Sequence, residues 1–233
     1  MIIFNGVDLT ETFPVSIEDI TVSPIQLNPV TRQRPLKFGA DFIRQGGGTR
    51  TVTLSFALLE MDVTERERVM QEIRSWAFSE EEKTLELPQF ENRHLECICT
   101  QMPDHSYRKW WENKLRLQFT CFNNPFWTSN ELIEVPCGET FSIGGSAQPL
   151  MTIERKGSST LRNQVYSTRT EAMTFSTVPA GQLVIDLNRQ TAAIGATSIM
   201  KYYLNSSTWI VPRIGANQVI YGAGVVKYRE RWV

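Results

Sequence analysis

The sequence predicts a mainly β protein made of two consecutive β-sandwich domains, the first carrying one α-helix. Three observations lead there. Apolar and polar residues alternate with period two over much of the first half, and one segment, Thr64 to Phe78, switches to a helical period. From residue 129 onward the chain is rich in Gly, Ser, Thr and Asn and is cut by turn signals into short strand-like runs.

The elements follow in order. Ile2-Ile3-Phe4 and Val7-Asp8-Leu9 flank Asn5-Gly6, the dipeptide that accepts the positive φ angles of a type I′ turn, so the chain opens with a hairpin. Val52, Leu54, Phe56 and Leu58 alternate with Thr51, Thr53, Ser55 and Ala57, and Leu115, Leu117, Phe119 and Cys121 alternate with Lys114, Arg116, Gln118 and Thr120. Both runs read as strands with one buried and one wet face. Between them Thr64 and Glu67 form a T-x-x-E capping box, and Val69, Ile73 and Trp76 fall on one helical face that must pack on the sheet. The acidic run Ser79 to Lys83 ends the helix, and Thr84 to Pro88 resumes as strand.

Past Trp127 the charge changes sign. Residues 1–128 carry 14 Lys+Arg and 18 Asp+Glu, and residues 129–233 carry 10 and 7. Strands are expected at Leu150–Glu154, Ala172–Ser176, Gln182–Asp186, Thr191–Ile194, Trp209–Val211 and Gly224–Tyr228, the pattern of a β-sandwich or jelly roll. The division falls near 128 to 140, taken as domains 1–133 and 134–233.

The bulk numbers set limits on function. With 233 residues, 41% hydrophobic, 21% charged and a net charge of −1, the chain is neither disordered nor a basic nucleic-acid binder. The N-terminus lacks the basic start and apolar run of a signal peptide, and no segment reaches the roughly 18 apolar residues of a membrane helix, so folding in the cytoplasm is the expectation. Cys97, Cys99, Cys121 and Cys137 then read as free thiols. A zinc site from His94, Cys97, Cys99 and Cys121 is the competing reading. Its C-x-C spacing inside strands fits small core residues better than the turn-borne C-x₂₋₄-C of structural zinc.

Catalytic constellations are equally thin. Asp104, His105 and Ser106 are neighbours in sequence, which is not the spatial convergence of a triad, and no G-x-S-x-G is present. Nothing recommends an enzyme. Tyr202, Tyr203 and Trp209 could line a sugar-binding face, although aromatics of a sandwich are more often core. The segment 29–50 is different: Arg32, Arg34, Lys37, Arg44 and Arg50 face one acid, Asp41, with Phe38, Phe42 and Ile43 interleaved and Gly46-Gly47-Gly48 near its end. The triplet lacks the G-x-x-x-x-G-K-[ST] of a phosphate loop. A basic, aromatic arm that docks on another subunit is the preferred reading. Arg32, Arg34, Phe38, Phe42 and Arg44 are its expected contacts, and the acidic helix end Glu80, Glu81, Glu82 is its expected counterpart on the neighbour.

The order of these motifs resembles the distal tail proteins of long-tailed bacteriophages. The resemblance runs from the opening hairpin and basic arm through RTVTLSFALLE, Ile73-Arg74-Ser75-Trp76, KTLELP, Pro103-Asp104 with a following tyrosine, and LRLQFTCFNNPFW. It continues with Gly181–Asp186, the Pro-x-x-Gly-x-Asn turn Pro212–Asn217, and the terminal Lys227–Trp232. It implies a tail-tube-like first domain and a galectin-like second domain. It also implies a structural, non-enzymatic hub without cofactor or metal, closed as a homo-hexameric ring with the second domains pointing outward. Implied partners are the tail tube protein, the central tail-tip protein and receptor-binding or baseplate proteins. The implied location is the virion tail tip after assembly in the host cytoplasm, with no membrane partner and no specific nucleic acid beyond the genome passing through the lumen. A carbohydrate-binding module built on the second domain is the alternative, weakened by the absence of histidine from residues 129–233.

Overall fold

The structure, a computed structural model, describes residues 1–26, 29–33, 40–45, 48–59, 62–103 and 114–233. The chain divides into two compact units, Met1–Trp127 and Thr128–Val233. The strand Ile133–Pro136 pairs with Val225–Trp232, so residues just ahead of 134 already belong to the second unit.

The first unit is an antiparallel arrangement around one helix. Strands β1 (Ile3–Phe4) and β2 (Val7–Asp8) form the expected hairpin, with positive φ at both Asn5 and Gly6. A four-residue helix, α1 (Leu9–Thr12), follows at once, capped by the Asp8 carboxylate. Next come β3 (Val15–Val22), β4 (Pro29–Gln33), β5 (Ala40–Gln45), β6 (Arg50–Leu58), helix α2 (Val63–Ala77), β7 (Lys83–Glu86), β8 (Arg93–Gln101) and β9 (Lys114–Cys121). Pairing runs β3-β6-β9-β8-β7-β1-β2, antiparallel throughout. The alternation read from sequence is the burial pattern of β6: Val52, Leu54 and Phe56 have no exposed surface and Leu58 almost none. On β9 the inward set Leu115, Leu117, Phe119 and Cys121 is buried, and Thr120 is buried as well, where its hydroxyl meets that of Thr100 at 2.9 Å.

Helix α2 begins two residues earlier than the capping box implied. Asp62, not Thr64, is the N-cap; its side chain accepts from the amide of Glu65 at 2.8 Å, which satisfies one of the donors that a first turn leaves open. Val69, Met70, Ile73 and Ala77 are buried beneath it. Trp76 sits at the centre of an aromatic cluster, edge-on to Phe4 at 5.7 Å, to Phe13 at 6.2 Å and to Phe119 at 6.3 Å, while its indole N–H donates to the carbonyl of Val7 at 3.2 Å.

The strand Trp127–Ser129 (β10) spans the division between the units. In the second unit follow β11 (Ile133–Pro136), β12 (Thr140–Ile143), β13 (Ala147–Gly157), β14 (Leu161–Ser167), β15 (Ala172–Val178), β16 (Gly181–Asp186), β17 (Thr191–Ile194), β18 (Thr197–Ser198), β19 (Gly215–Val219) and β20 (Val225–Trp232). Pairs β11-β20-β13-β16-β17-β18 make one antiparallel sheet, accompanied by the separate pairs β12-β19 and β14-β15. Their inner faces share one core built on Phe141, Ile153, Tyr166, Phe175, Ile185 and Val226. Trp209–Val211 is not a strand. The Val211 amide is taken by the Glu171 carboxylate at 3.0 Å, and Pro212 supplies no donor to extend a ladder.

Two outcomes test this reading of the first unit. Asp62→Ala is expected to cost about 1 kcal/mol in urea unfolding, and Thr64→Ala to stay within about 0.5 kcal/mol. The second concerns pH. Burial pushes the Asp8 carboxyl up, but hydrogen bonds from the Thr10 hydroxyl and from the amides of Thr10 and Glu11 outweigh it and hold the group below its ordinary value. A depressed carboxyl stabilises the fold above its unfolded value and loses that contribution as pH falls through the folded one. The wild type is therefore expected to lose stability below pH about 4 more steeply than Asp8→Asn; equal slopes in acid unfolding would remove Asp8 from the cap.

Candidate interaction surfaces

Three regions of the molecule are candidates for interaction. The first is the arm. Strands β4 and β5 pair only with each other among the described strands, in the register Pro29↔Gln45, Val30↔Arg44, Thr31↔Phe42, Arg32↔Asp41 and Gln33↔Ala40, with an irregularity between Val30 and Thr31. Arg32, Phe42 and Arg44 thus lie on an antiparallel hairpin. Arg34 and Phe38 lie outside the described residues, as do Lys37, Gly46 and Gly47. Gly48 closes the base of the arm: a Cβ there would lie 2.4 Å from the carbonyl oxygen of Gln26, whose backbone bridges Thr49. The glycine serves a close backbone approach, not a phosphate.

Arg50 does not belong to the arm. It opens β6 and is 4% exposed, with its guanidinium carbon 6.0 Å from the centre of the Trp127 ring. Trp127 is in turn stacked on Phe90 at 4.0 Å. Counting Arg50 with the arm therefore overstates the arm's charge by one. A basic residue next to a glycine triplet looks like loop in sequence, and only the strand register reveals it as core.

The second region is the end of α2. Glu80 and Glu81 are exposed, and Glu81 lies 3.5 Å from the Lys83 ammonium. Glu82 is spent within the chain. Its Oε1 accepts from the amides of Phe122 at 2.7 Å and Asn123 at 3.1 Å, and its Oε2 accepts from the Asn123 side chain at 2.8 Å. This carboxylate fastens the corner after β9 to the loop after α2. Two large apolar side chains stand free beside it, Phe78 at 63% and Phe122 at 53% exposure. Sequence reasoning passed over both. The available signal was phase: Phe122 falls one step past the inward Cys121, and Phe78 follows the last buried residue of the helix.

The third region is a groove of about 240 Å³ in the second unit, between the turn Thr168–Glu171 and the segment Ile210–Ile220. Glu171 organises it, accepting from the Val211 amide at 3.0 Å and from the Arg213 guanidinium at 2.6 Å. The Gln218 side-chain amide bonds the carbonyls of Arg213 and Gly215, and Asn217 adopts a φ of 56°. Those bonds define the Pro-x-x-Gly-x-Asn turn. No aromatic ring appears among the described residues lining the groove. Tyr203 and Trp209 are packed instead against the core, 5.4 Å apart, with Tyr203 edge-on to Phe175; their polar tips donate to the carbonyls of Ser207 and Leu187. Tyr202 likewise packs on the core.

His94 is on β8 opposite Glu86, and Asp104, His105 and Ser106 lie outside the described residues together with Tyr107 and the Trp110-Trp111 pair. Among the described residues no three His, Cys, Asp or Glu side chains gather as metal ligands, and Cys97, Cys99, Cys121 and Cys137 are free thiols. No described helix is long and apolar enough to cross a membrane. Replacing Glu82 by Ala is expected to cost about 1 kcal/mol and to speed hydrogen exchange at the Phe122 and Asn123 amides; unchanged exchange there would mean the corner holds without it.

No protein-family model matches the sequence, and no curated protein matches it. Solved structures do. Two chains from the phage p2 baseplate in its activated conformation, with Sr and with Ca, align over 99% and 100% of this chain and 96% and 97% of theirs, at 11% and 9% identity and TM-scores of 0.48 and 0.49. The SPP1 Dit (gp 19.1) protein, a paradigm of hub adsorption apparatus in Gram-positive infecting phages, aligns over 100% of this chain and 98% of its own at 12% identity with a TM-score of 0.75. From end to end, across both units, this chain has the mainly β fold of that phage hub protein.

Proposed function

We propose that this chain is a structural hub of a long-tailed phage or prophage tail tip, a ring of six copies that joins the tail tube to the adsorption apparatus. The observation that carries the reading is the full-length likeness to SPP1 Dit, which spans both units in one alignment rather than a single common sandwich. The surfaces agree with a part that binds by shape. A ring of identical subunits needs two different faces that meet. The first unit offers a detached hairpin bearing Arg32, Phe42 and Arg44, and elsewhere exposed Phe78 and Phe122 beside Glu80 and Glu81. Exposed aromatics supply most of the energy in such contacts, and rim charges mainly tune rate and salt dependence.

On this reading the chain performs no catalysis and holds no cofactor. Its partners are further copies of itself, the tube protein, the central tip protein and receptor-binding or baseplate proteins, and its place is the tail tip after assembly in the host cytoplasm. The carbohydrate-binding alternative draws no support from the groove of the second unit, since sugar faces rely on exposed rings and Tyr203 and Trp209 are engaged in the core.

Light scattering on the full chain tests the closure. Phe78→Ser with Phe122→Ser is expected to raise the concentration for half-assembly at least ~10-fold, with thermal unfolding of the monomer unchanged. Deletion of 33–47 is expected to leave a folded monomer that does not assemble. Assembly of the deletion variant at the wild-type concentration would refute the role of the arm.

A further inference from the structure

One row of side chains crosses four strands on the core face of the first unit. Lys83 of β7 is opposite Cys97 of β8. The β8–β9 register, Ile98↔Thr120 and Cys99↔Phe119, continued by one pair, sets Cys97 opposite Cys121. Cys121 is opposite Arg50 of β6. Directly opposed residues of antiparallel strands project on one face, so the row reads Lys83, Cys97, Cys121, Arg50: two thiols between two cations. Cys97 and Cys121 have no exposed surface and are reduced. Arg50 is 4% exposed, and its Nε and Nη1 are buried without a hydrogen-bond partner. A buried guanidinium with idle donors is a costly feature in a core, and here it stands beside a sulfur able to carry negative charge during exchange.

We propose that Cys97 and Cys121 form a redox-active pair that closes to a cross-strand disulfide when the protein meets a low-molecular-weight disulfide. The Cys121 sulfur, as thiolate, attacks one sulfur of the small disulfide, forming a mixed disulfide and releasing one small thiol. The Cys97 sulfur then attacks Cys121, forming the intramolecular S–S bond and releasing the second small thiol. Two electrons pass from the pair to the oxidant, and the two protein thiol protons leave on the released thiols. Arg50 faces the sulfur on which charge develops in the first step. Opposed Cβ atoms stand about 4.5–5.5 Å apart and a disulfide wants about 3.5–4.5 Å, so the strands must close by about 1 Å. Both sulfurs are buried, so the small disulfide reaches Cys121, the last residue of β9, only when that strand end opens from the corner that the Glu82 carboxylate holds at Phe122 and Asn123. Cys99, whose thiol donates to the carbonyl of Gln101, and Cys137 in the second unit lie outside the row. The pair would stay open in a reducing cytoplasm and close in an oxidising medium, tying β8 to β9.

The test uses the reduced, full-length protein, freed of reductant and incubated with 2-hydroxyethyl disulfide under native conditions. The expected product has lost two hydrogens and carries no adduct. Its non-reducing peptide map links Cys97 to Cys121, with Cys99 and Cys137 still alkylated by iodoacetamide after denaturation. Its Tm rises by roughly 5–10 °C and returns on reduction. Cys97→Ser is expected to hold the adduct stably on Cys121. A lasting adduct on the wild type, a link to Cys99 or Cys137, closure only after denaturant is added, or no adduct on Cys121 in Cys97→Ser would each overturn the proposal.

Discussion

Trp76 is where the first unit is held together. The inward row of β9 carries Leu115, Leu117 and Phe119, which need a cover, and the only described helix longer than one turn brings Val69, Ile73 and an indole. The ring touches Phe4, Phe13 and Phe119 edge-on, and its N–H reaches back to Val7. One side chain thereby joins helix, sheet and opening hairpin. The hairpin is fixed a second time where the Asn5 amide donates to Thr84 of β7, so the N-terminal strands extend the sheet. Aromatic edge contacts of this kind add about 0.5–1.5 kcal/mol each beyond the area they bury, enough to decide how a single helix seats on a sheet.

With that core closed, what remains at the surface is unusually informative. No three metal-ligating side chains gather among the described residues, and the chain keeps a hairpin whose strands pair only with each other and two exposed phenylalanines. Both phenylalanines stand outside the described core. Glu82 shows the same logic from the other side: three donors on one carboxylate hold Phe122 and Asn123 in place, so the corner that displays Phe122 is built and not frayed. In the second unit Glu171 does comparable work, fixing a turn through Val211 and Arg213 without offering a ring to a sugar.

Legibility in the sequence followed the strength of the local pattern. β6 and β9 could be read because each has one fully buried and one wet face, and the Asn5-Gly6 turn because few other dipeptides accept two positive φ angles. β14 is hidden because the neighbours Arg162 and Asn163 are both exposed and only Tyr166 is buried, which leaves no alternation to see. β19 is hidden because Gly215-Ala216-Asn217 is turn chemistry, although Gly215, Gln218 and Val219 pair with β12. The helix start was displaced because Asp62 and Thr64 are both acceptable caps, and the choice depends on where the preceding chain arrives. Arg50 and Glu82 misled for a shared reason: charge suggests surface, whereas cross-strand register and three convergent donors put these two to work inside the chain. The order of motifs along the whole chain carries the likeness to phage tail proteins, and the structural match to SPP1 Dit covers the whole chain at 12% identity.

The central claim is that this chain closes a ring through its first unit. Electron micrographs of the purified wild-type protein, taken across a range of concentrations, test it most directly. Six-fold rings with an open centre, growing in number as concentration rises, are the predicted result. Particles that remain single chains at every concentration, or that grow into open filaments, would contradict it.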